Sequence, residues 1–397
     1  PLGKTPIQLS WAENIVRKTN GNVLIFTPLA VAPQTMREGE KFGIQVRRSK
    51  QGEVHKGITV CNYHRIHYLD PEKFKGVVCD ESGCIKHSDS KTRKAVTEFL
   101  SHVPYRLLCT ATPAPNDYME LGTSSEALGE MTRNQMLGMF FTNDGETTQQ
   151  WSLKGHARGR FWQWMSSWAV AVRKPSDLGY KDGKFKLPPL EVKHHIVPGL
   201  SKEGFFARMA KNMREQRVEK RRSLERRCEE VAKVLPKNRS NLVWCQLNRE
   251  SEVLAKLIPG AIEVKGSDPD EKKEEYLTAF SLGQIRALVT KPSIACFGLN
   301  WQHCADVAYF PTWSAEQYYQ AIRRCWRFGQ ENKVTCNLVY SESEKIVAKG
   351  MIRKEKLSSD MYDGILRAMG KYTAKASANG DDAEMELPEW LRSFPCR

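Results

Sequence analysis

The sequence predicts an α/β protein: two parallel-sheet domains in tandem with a helical insertion between them. Three observations predict it. Short apolar runs rich in β-branched residues alternate with amphipathic stretches in the first third of the chain and again from Asn241. Several runs stop where polar residues begin, as strands do when ligands bind at the carboxyl edge of an α/β sheet. The chain's 397 residues exceed what one core holds, and 40% apolar with 27% charged residues excludes wholesale disorder. The expected segments are a first domain over 1–124, a helical insertion and basic linker over 125–240, a second domain over 241–345, and a C-terminal extension over 346–397.

Taken in order, Asn22–Phe26 reads as a buried strand, as do Gly57–Cys61, Gly76–Cys79 and Tyr105–Cys109. Helices are expected over Pro6–Thr19, Ala32–Phe42 and Lys91–Leu100. From Ser125 to Leu187 the composition turns to Met, Trp and Gly, which points to an irregular, partly helical segment rather than a sheet. Its Trp151, Trp162, Trp164 and Trp168 either fill a core, the commoner use, or stack on bases. Lys186-Leu187-Pro188-Pro189-Leu190 reads as a turn or linker, because paired prolines bar helix and lack donors. Lys202–Lys233 is helical and dense in Arg and Lys: a solvated helix with i,i+4 pairs or a phosphate-facing surface. The second set of strands is Leu242–Cys245, Ala261–Val264, Arg286–Val289, Ala305–Tyr309 and Val334–Val339. One or two helices follow from Glu344, then an acidic tail from Ala374 to Glu386.

Charge narrows the partner. Sixty-one Lys and Arg against 46 Asp and Glu give +15, a balance that points to a polyanion, most often nucleic acid. No apolar run reaches the length of about 18 that spans a bilayer, and the first residues lack the layout of a secretory signal. Eleven scattered cysteines with no C-x-x-C read as reduced thiols of a cytoplasmic protein. His64 and His67 have no thiolate partners at ligand spacing, so no zinc site is expected.

Gly3-Lys4-Thr5, ahead of an amphipathic helix, matches the last three positions of the phosphate-binding loop G-x-x-x-x-G-K-[ST]. There, backbone N–H groups and the helix dipole hold phosphate, the lysine reaches the β and γ oxygens, and the threonine meets Mg²⁺. Three residues alone match by chance as readily as by function. In Asp80-Glu81-Ser82-Gly83, after an apolar strand, Asp80 can hold Mg²⁺ and Glu81 can polarise an attacking water, although paired acids are also common in plain loops. Thr110-Ala111-Thr112-Pro113 follows the next strand. Its hydroxyls either link the acidic pair to a second domain, or Thr112 caps a helix begun by Pro113. The most specific stretch is Gln320-Ala321-Ile322-Arg323-Arg324-Cys325-Trp326-Arg327-Phe328-Gly329-Gln330. Arg324 and Arg327, three apart, are expected on one helix face, as a surface cluster or as two guanidiniums meeting a γ-phosphate.

In this order the motifs resemble those of superfamily 2 helicases and translocases, and within them the Swi/Snf-type ATPases. Gly3-Lys4-Thr5 is similar to motif I, Phe26-Thr27-Pro28 to motif Ia and Cys61-Asn62-Tyr63 to motif Ib. Asp80-Glu81-Ser82-Gly83 resembles motif II, with Ser-Gly where the family has Ala-His or Gly-His; Thr110–Pro113 resembles motif III. Val243-Trp244-Cys245-Gln246 is similar to motif IV, Thr290-Lys291-Pro292 through Gly298-Leu299-Asn300-Trp301-Gln302 to motif V, and Gln320–Gln330 to motif VI. The compact layout looks most like small helicase-like proteins of phages and prophages. The resemblance covers roughly residues 1–345, where 125–240 matches in position only.

The resemblance implies two RecA-like domains, with ATP and Mg²⁺ in the cleft between them. It implies nucleotide contacts from Gly3, Lys4, Thr5, Gly298 and Asn300, with Thr5 and Asp80 on Mg²⁺. Asp80, Glu81, Gln320, Arg324 and Arg327 would be catalytic, and Thr110, Thr112 and Gln330 would couple the domains. Nucleic acid would touch Thr27, Pro28, Asn62, Tyr63, Gln246 and Lys291. The expected function is an ATP-dependent translocase on double-stranded DNA, monomeric, acting in the cytoplasm of a bacterial or phage-infected cell at the nucleoid. A strand-separating DNA or RNA helicase is the nearest alternative, and a non-hydrolysing nucleic-acid-binding protein is the alternative of another class. A nuclease lacks a PD-x-K or His-rich cluster.

Overall fold

The alternating apolar runs become two parallel sheets, each with helices packed on it. The computed structural model describes residues 3–28, 31–86, 90–143, 151–183, 185–198, 220–295 and 300–378. The chain divides into two compact units: one runs to Arg173 and resumes at Leu357, the other spans Lys174–Lys356.

The first unit opens with α1 (Lys4–Thr19), β1 (Asn22–Thr27), α2 (Ala32–Lys41), β2 (Val46–Arg48), β3 (Ile58–Asn62), β4 (Phe74–Asp80), α3 (Lys91–Ser101) and β5 (Tyr105–Cys109). All five strands are parallel, in the order β2-β3-β1-β4-β5. Strands covered on both faces need apolar side chains throughout, which explains the unbroken burial of Val23–Thr27 and of Ile58–Asn62. Alternate residues of β1 serve opposite faces. Val23 and Ile25 pack with Leu9, Ala12 and Ile15 of α1, while Leu24 and Phe26 pack with Val96, Phe99 and Leu100 of α3. The edge strand β2 was not expected, because only Val46 of its three residues is apolar and buried.

The insertion follows as α4 (Leu121–Leu128), α5 (Arg133–Phe140), β6 (Phe141–Asn143), β7 (Trp151–Leu153) and α6 (Arg158–Trp168). The helices match expectation. The short antiparallel β6–β7 pair does not, since three residues a side leave almost no alternation to read. Its tryptophans belong to a core: Phe140, Phe161, Trp162 and Met165 are buried with Met361 and Ile365, and Trp164 and Trp168 pack against them. Phe161 meets Trp162 edge-to-face at 4.9 Å. Residues from Leu357 onward therefore belong to this unit, because they supply the apolar cover that the insertion lacks. A Cβ at Gly364 would lie 2.5 Å from Trp162 Cε2. Gly364→Val is expected to lower stability by about 1–3 kcal/mol through overpacking. Chemical denaturation with tryptophan fluorescence measures this, and an unchanged midpoint refutes the packing argument.

In the second unit come β8 (Leu190–Val197), α7 (Leu224–Val234), β9 (Asn241–Trp244), α8 (Asn248–Leu257), β10 (Ala261–Glu263), α9 (Asp270–Ser281), β11 (Ala287–Thr290), α10 (Pro292–Ala295), β12 (Asp306–Tyr309), α11 (Ala315–Ile322) and β13 (Val334–Ser341). The strand order is β10-β11-β9-β12-β13-β8, again all parallel. The edge strand β8 stands where a linker was expected. Its Leu-Glu-Val-Lys-His-His-Ile-Val sequence is half polar with Lys-His-His unbroken at its centre, yet it pairs with β13 along its whole length, from Leu190↔Val334 to Val197↔Ser341. Polar side chains there find partners: His195 Nε2 lies 2.9 Å from Asn337 Oδ1, and His194 Nδ1 3.1 Å from the Tyr340 hydroxyl.

One long helix, α12 (Lys345–Ala378), ends the described chain, and it begins in the second unit and continues in the first. Of the expected basic helix, Leu224–Val234 is observed, while residues 199–219 lie outside the described residues; of the tail expected over Ala374–Glu386, 374–378 instead continue α12 and the rest lies outside the described residues. Among the described residues no helix is long and apolar enough to cross a membrane, and the nine cysteines are free.

Candidate functional site

The first unit collects its chemistry at the carboxyl edge of its sheet. Gly3 caps α1 in the left-handed conformation (φ 65°), with no side chain on the helix's free N–H groups. Lys4 and Thr5 open the helix, and Asp80 is the last residue of β4. The 16-residue α1 brings Lys4 onto Glu81, and the Lys4 ammonium donates to Glu81 Oε1. One turn on, Gln8 Nε2 donates to Asp80 Oδ1 at 2.6 Å. Two short stretches 76 residues apart in the chain are thus one site.

Asp80 is 5% exposed, and burial raises its carboxyl from the ordinary range, opposed by the Lys4 charge and reinforced by Glu81. Glu81 has φ 49° and ψ 52°, a left-handed conformation that is costly for a residue with a side chain. Such strain clusters at functional sites, and here it turns the Glu81 carboxylate toward Lys4. Gln8 was not foreseen. It falls among the buried positions Leu9, Ala12 and Ile15 of α1, and a polar residue in an otherwise apolar stripe was its signal. Its Oε1 is buried without a hydrogen-bond partner.

These residues fit a nucleotide with Mg²⁺. A helix start without acidic residues attracts phosphate. Mg²⁺ bound through phosphates needs one or two carboxylates, which matches the buried Asp80. No group of three or more His, Cys, Asp or Glu is placed for a metal among the described residues, so a dedicated all-protein cage is not the fit.

Around this site, Thr112 does not cap a helix. Residues 110–117 form bends in which the Thr112 N–H donates to Thr110 Oγ1 at 3.1 Å. The next helical turn starts only at Tyr118. Ala111, between the two threonines, accepts from the Tyr362 hydroxyl at 2.8 Å. Thr27 and Asn62 are register partners at the ends of β1 and β3, and both are buried. Tyr63 is buried too; it stacks on Phe26 and donates to the Asp80 carbonyl at 2.7 Å, so its side chain supports the acidic strand. Pro28 is half-buried beside them. The exposed groups of this segment are His64, His67 and Tyr68.

In the second unit, the arginines are not on a helix, contrary to expectation. Helix α11 ends at Ile322, and Arg324 and Arg327 follow in a run of turns. Tertiary bonds pull this backbone out of the helix: the Trp301 N–H takes the Arg324 carbonyl at 2.9 Å, and Trp326 Nε1 donates to the Pro188 carbonyl at 2.7 Å. Gly329 (φ 88°) lies against Gln302, where a Cβ would come within 2.7 Å of its amide nitrogen. Gln320 Oε1 accepts from Arg324 at 3.4 Å, and Arg327 donates to Asn300 Oδ1. Burial and the neighbouring Arg324 hold the Arg327 guanidinium down at about 10, still charged at neutral pH. Gln330 is buried and donates to the Cys304 carbonyl at 3.0 Å. Gly298 lies outside the described residues.

Lys291 and Gln246 stand on loops at the carboxyl edge of the same sheet. Lys291 donates to Asn248 Oδ1 and lines a cleft of about 330 Å³ with Lys265, Ser267 and Ser293. Gln246 is half-buried, and its backbone N–H donates to Glu250. No protein-family model matches this chain, and no curated protein matches it.

Proposed function

We propose that the protein is a nucleic-acid-dependent ATPase, a translocase on double-stranded DNA built from two RecA-like domains. The observation that carries this reading is the meeting of Lys4 with Glu81 and of Gln8 with Asp80 at the carboxyl edge of a parallel sheet. Lysine, hydroxyl and two adjacent acids at one helix start are the parts that phosphoryl transfer to water needs.

In this reading Lys4 and the free N–H groups of α1 bind the ATP phosphates. Asp80 and Thr5 hold Mg²⁺, which supplies charge neutralisation on the phosphate oxygens when bound. Glu81, released from Lys4, accepts a hydrogen bond from the attacking water and orients it. Arg324 and Arg327 stabilise the charge that builds on the transferred group. Gln8 keeps Asp80 aimed while Tyr63 fixes its backbone. The net charge of +15 and the Lys265–Lys291 cleft supply phosphate contacts that carry no base preference.

The test is ATP hydrolysis measured alone and with duplex DNA, single-stranded DNA or RNA, at two salt concentrations. Stimulation by duplex DNA that weakens steeply with salt is expected. Stimulation only by RNA or single strands would move the assignment to an unwinding helicase. Nucleic-acid binding with no hydrolysis would reduce the protein to a binding module.

A further inference from the structure

The Lys265–Lys291 cleft does not end at Asn248. Asn248 also lines a second groove, of about 360 Å³, with Arg221, Leu224, Leu247 and Arg249. Arg221 and Arg249 are both exposed, and Arg249 lies 3.6 Å from Glu252. Across the two adjoining grooves four cations, Arg221, Arg249, Lys265 and Lys291, stand against the carboxylates of Glu252 and Glu263.

Buried charge ties together the stretches that line the second groove. Arg227, 1% exposed, lies 2.9 Å from Glu250 Oε1 and 3.5 Å from Glu344 Oε2, and its guanidinium covers the Phe310 ring at 4.7 Å. Glu250, fully buried, uses its other oxygen to accept from the N–H groups of Gln246 and Leu247 at 2.8 and 2.9 Å. Arg227 also donates to the Lys220 carbonyl at 2.7 Å, beside Arg221 in the chain. One buried guanidinium therefore ties together the chain beside Arg221 and the turn that leads into Asn248 and Arg249 at the start of α8. Ionic groups buried this deeply stabilise no better than apolar residues of equal size, so what they add is a defined position. Exposed arginines on walls held this way start from fixed backbone positions when they meet phosphate.

We propose that Arg221 and Arg249 form a second phosphate-contacting site, continuous through Asn248 with the Lys265–Lys291 cleft, so that a nucleic-acid backbone runs across both. This rests on the nucleic-acid reading above and extends it to residues outside the helicase-like motifs. The contacts are to phosphate oxygens, so they add affinity and salt dependence without sequence preference.

The experiment is duplex-DNA binding by fluorescence anisotropy over a range of salt, for the full chain and for the double variant Arg221→Ser, Arg249→Ser. A second double variant, Lys233→Ser with Lys237→Ser, removes the same charge from exposed positions outside both grooves. The arginine variant is expected to flatten the slope of log K against log salt by about 2, and to weaken binding on the order of tenfold per contact at 0.1 M salt. The lysine variant should leave the slope unchanged. Equal slopes for the arginine variant and the full chain, or equal losses in both variants, overturn the second site while leaving the ATPase reading intact. If the unsubstituted chain binds no nucleic acid, both fall together.

Discussion

Glu81→Gln is expected to abolish turnover while leaving ATP binding in place. Glu81 holds the Lys4 ammonium, so in the proposed reaction the lysine changes partner to meet a phosphate. Glutamine keeps the shape of the side chain and the left-handed backbone strain of the position, but it no longer draws Lys4 or polarises water. Loss of the base should slow hydrolysis by about 10²–10⁴-fold. Affinity for ATP should stay the same or tighten, because the carboxylate that competed for Lys4 is gone. Single-turnover hydrolysis together with titration of a fluorescent nucleotide separates the two effects. Hydrolysis at the normal rate would remove Glu81 from the mechanism. Lost binding would mean that the ion pair holds the site together rather than gating it.

Much of this architecture was legible because strands covered on both faces cannot alternate. The runs at Asn22–Phe26 and Gly76–Cys79 could be read directly, and both lie within observed strands. Two of the four edge strands, β2 and β8, were not legible. β2 offers one buried apolar residue, and β8 is a strand only because β13 supplies it with a hydrogen-bonding partner and places for His194 and His195. Local pattern carries no trace of such pairing. The same limit applies to Arg324 and Arg327, whose spacing reads as helical while Trp301, Gln302 and Pro188, distant in sequence, hold them in turns. Residue type and order were enough to single out Lys4, Asp80 and Glu81, which the fold brings together. They were not enough to show that Tyr63 serves the core, or that Arg227 ties three stretches of the second unit.

Arg327→Ala is expected to remove nucleic-acid-stimulated hydrolysis, with a loss of about 10³–10⁵-fold where an arginine finger acts. The turns that hold Arg327 also set it close enough to Arg324 for each to feel the other's charge. Two guanidiniums forced together repel, and an anion that arrives between them relieves the repulsion. The contact with Asn300 gives a way to divide charge from position. Asn300→Ala keeps both charges and loses only the amide that orients one of them, so its loss should be smaller than that of Arg327→Ala. Arg327→Lys keeps a charge but not the planar fork, and should recover little. ATP binding by the two Arg327 variants should match the unsubstituted protein, since Lys4 and both acids lie elsewhere in the chain. An unaffected stimulated rate in Arg327→Ala would leave Gln320–Gln330 as a structural turn, pinned by Trp326 and Gln330, with no part in the chemistry.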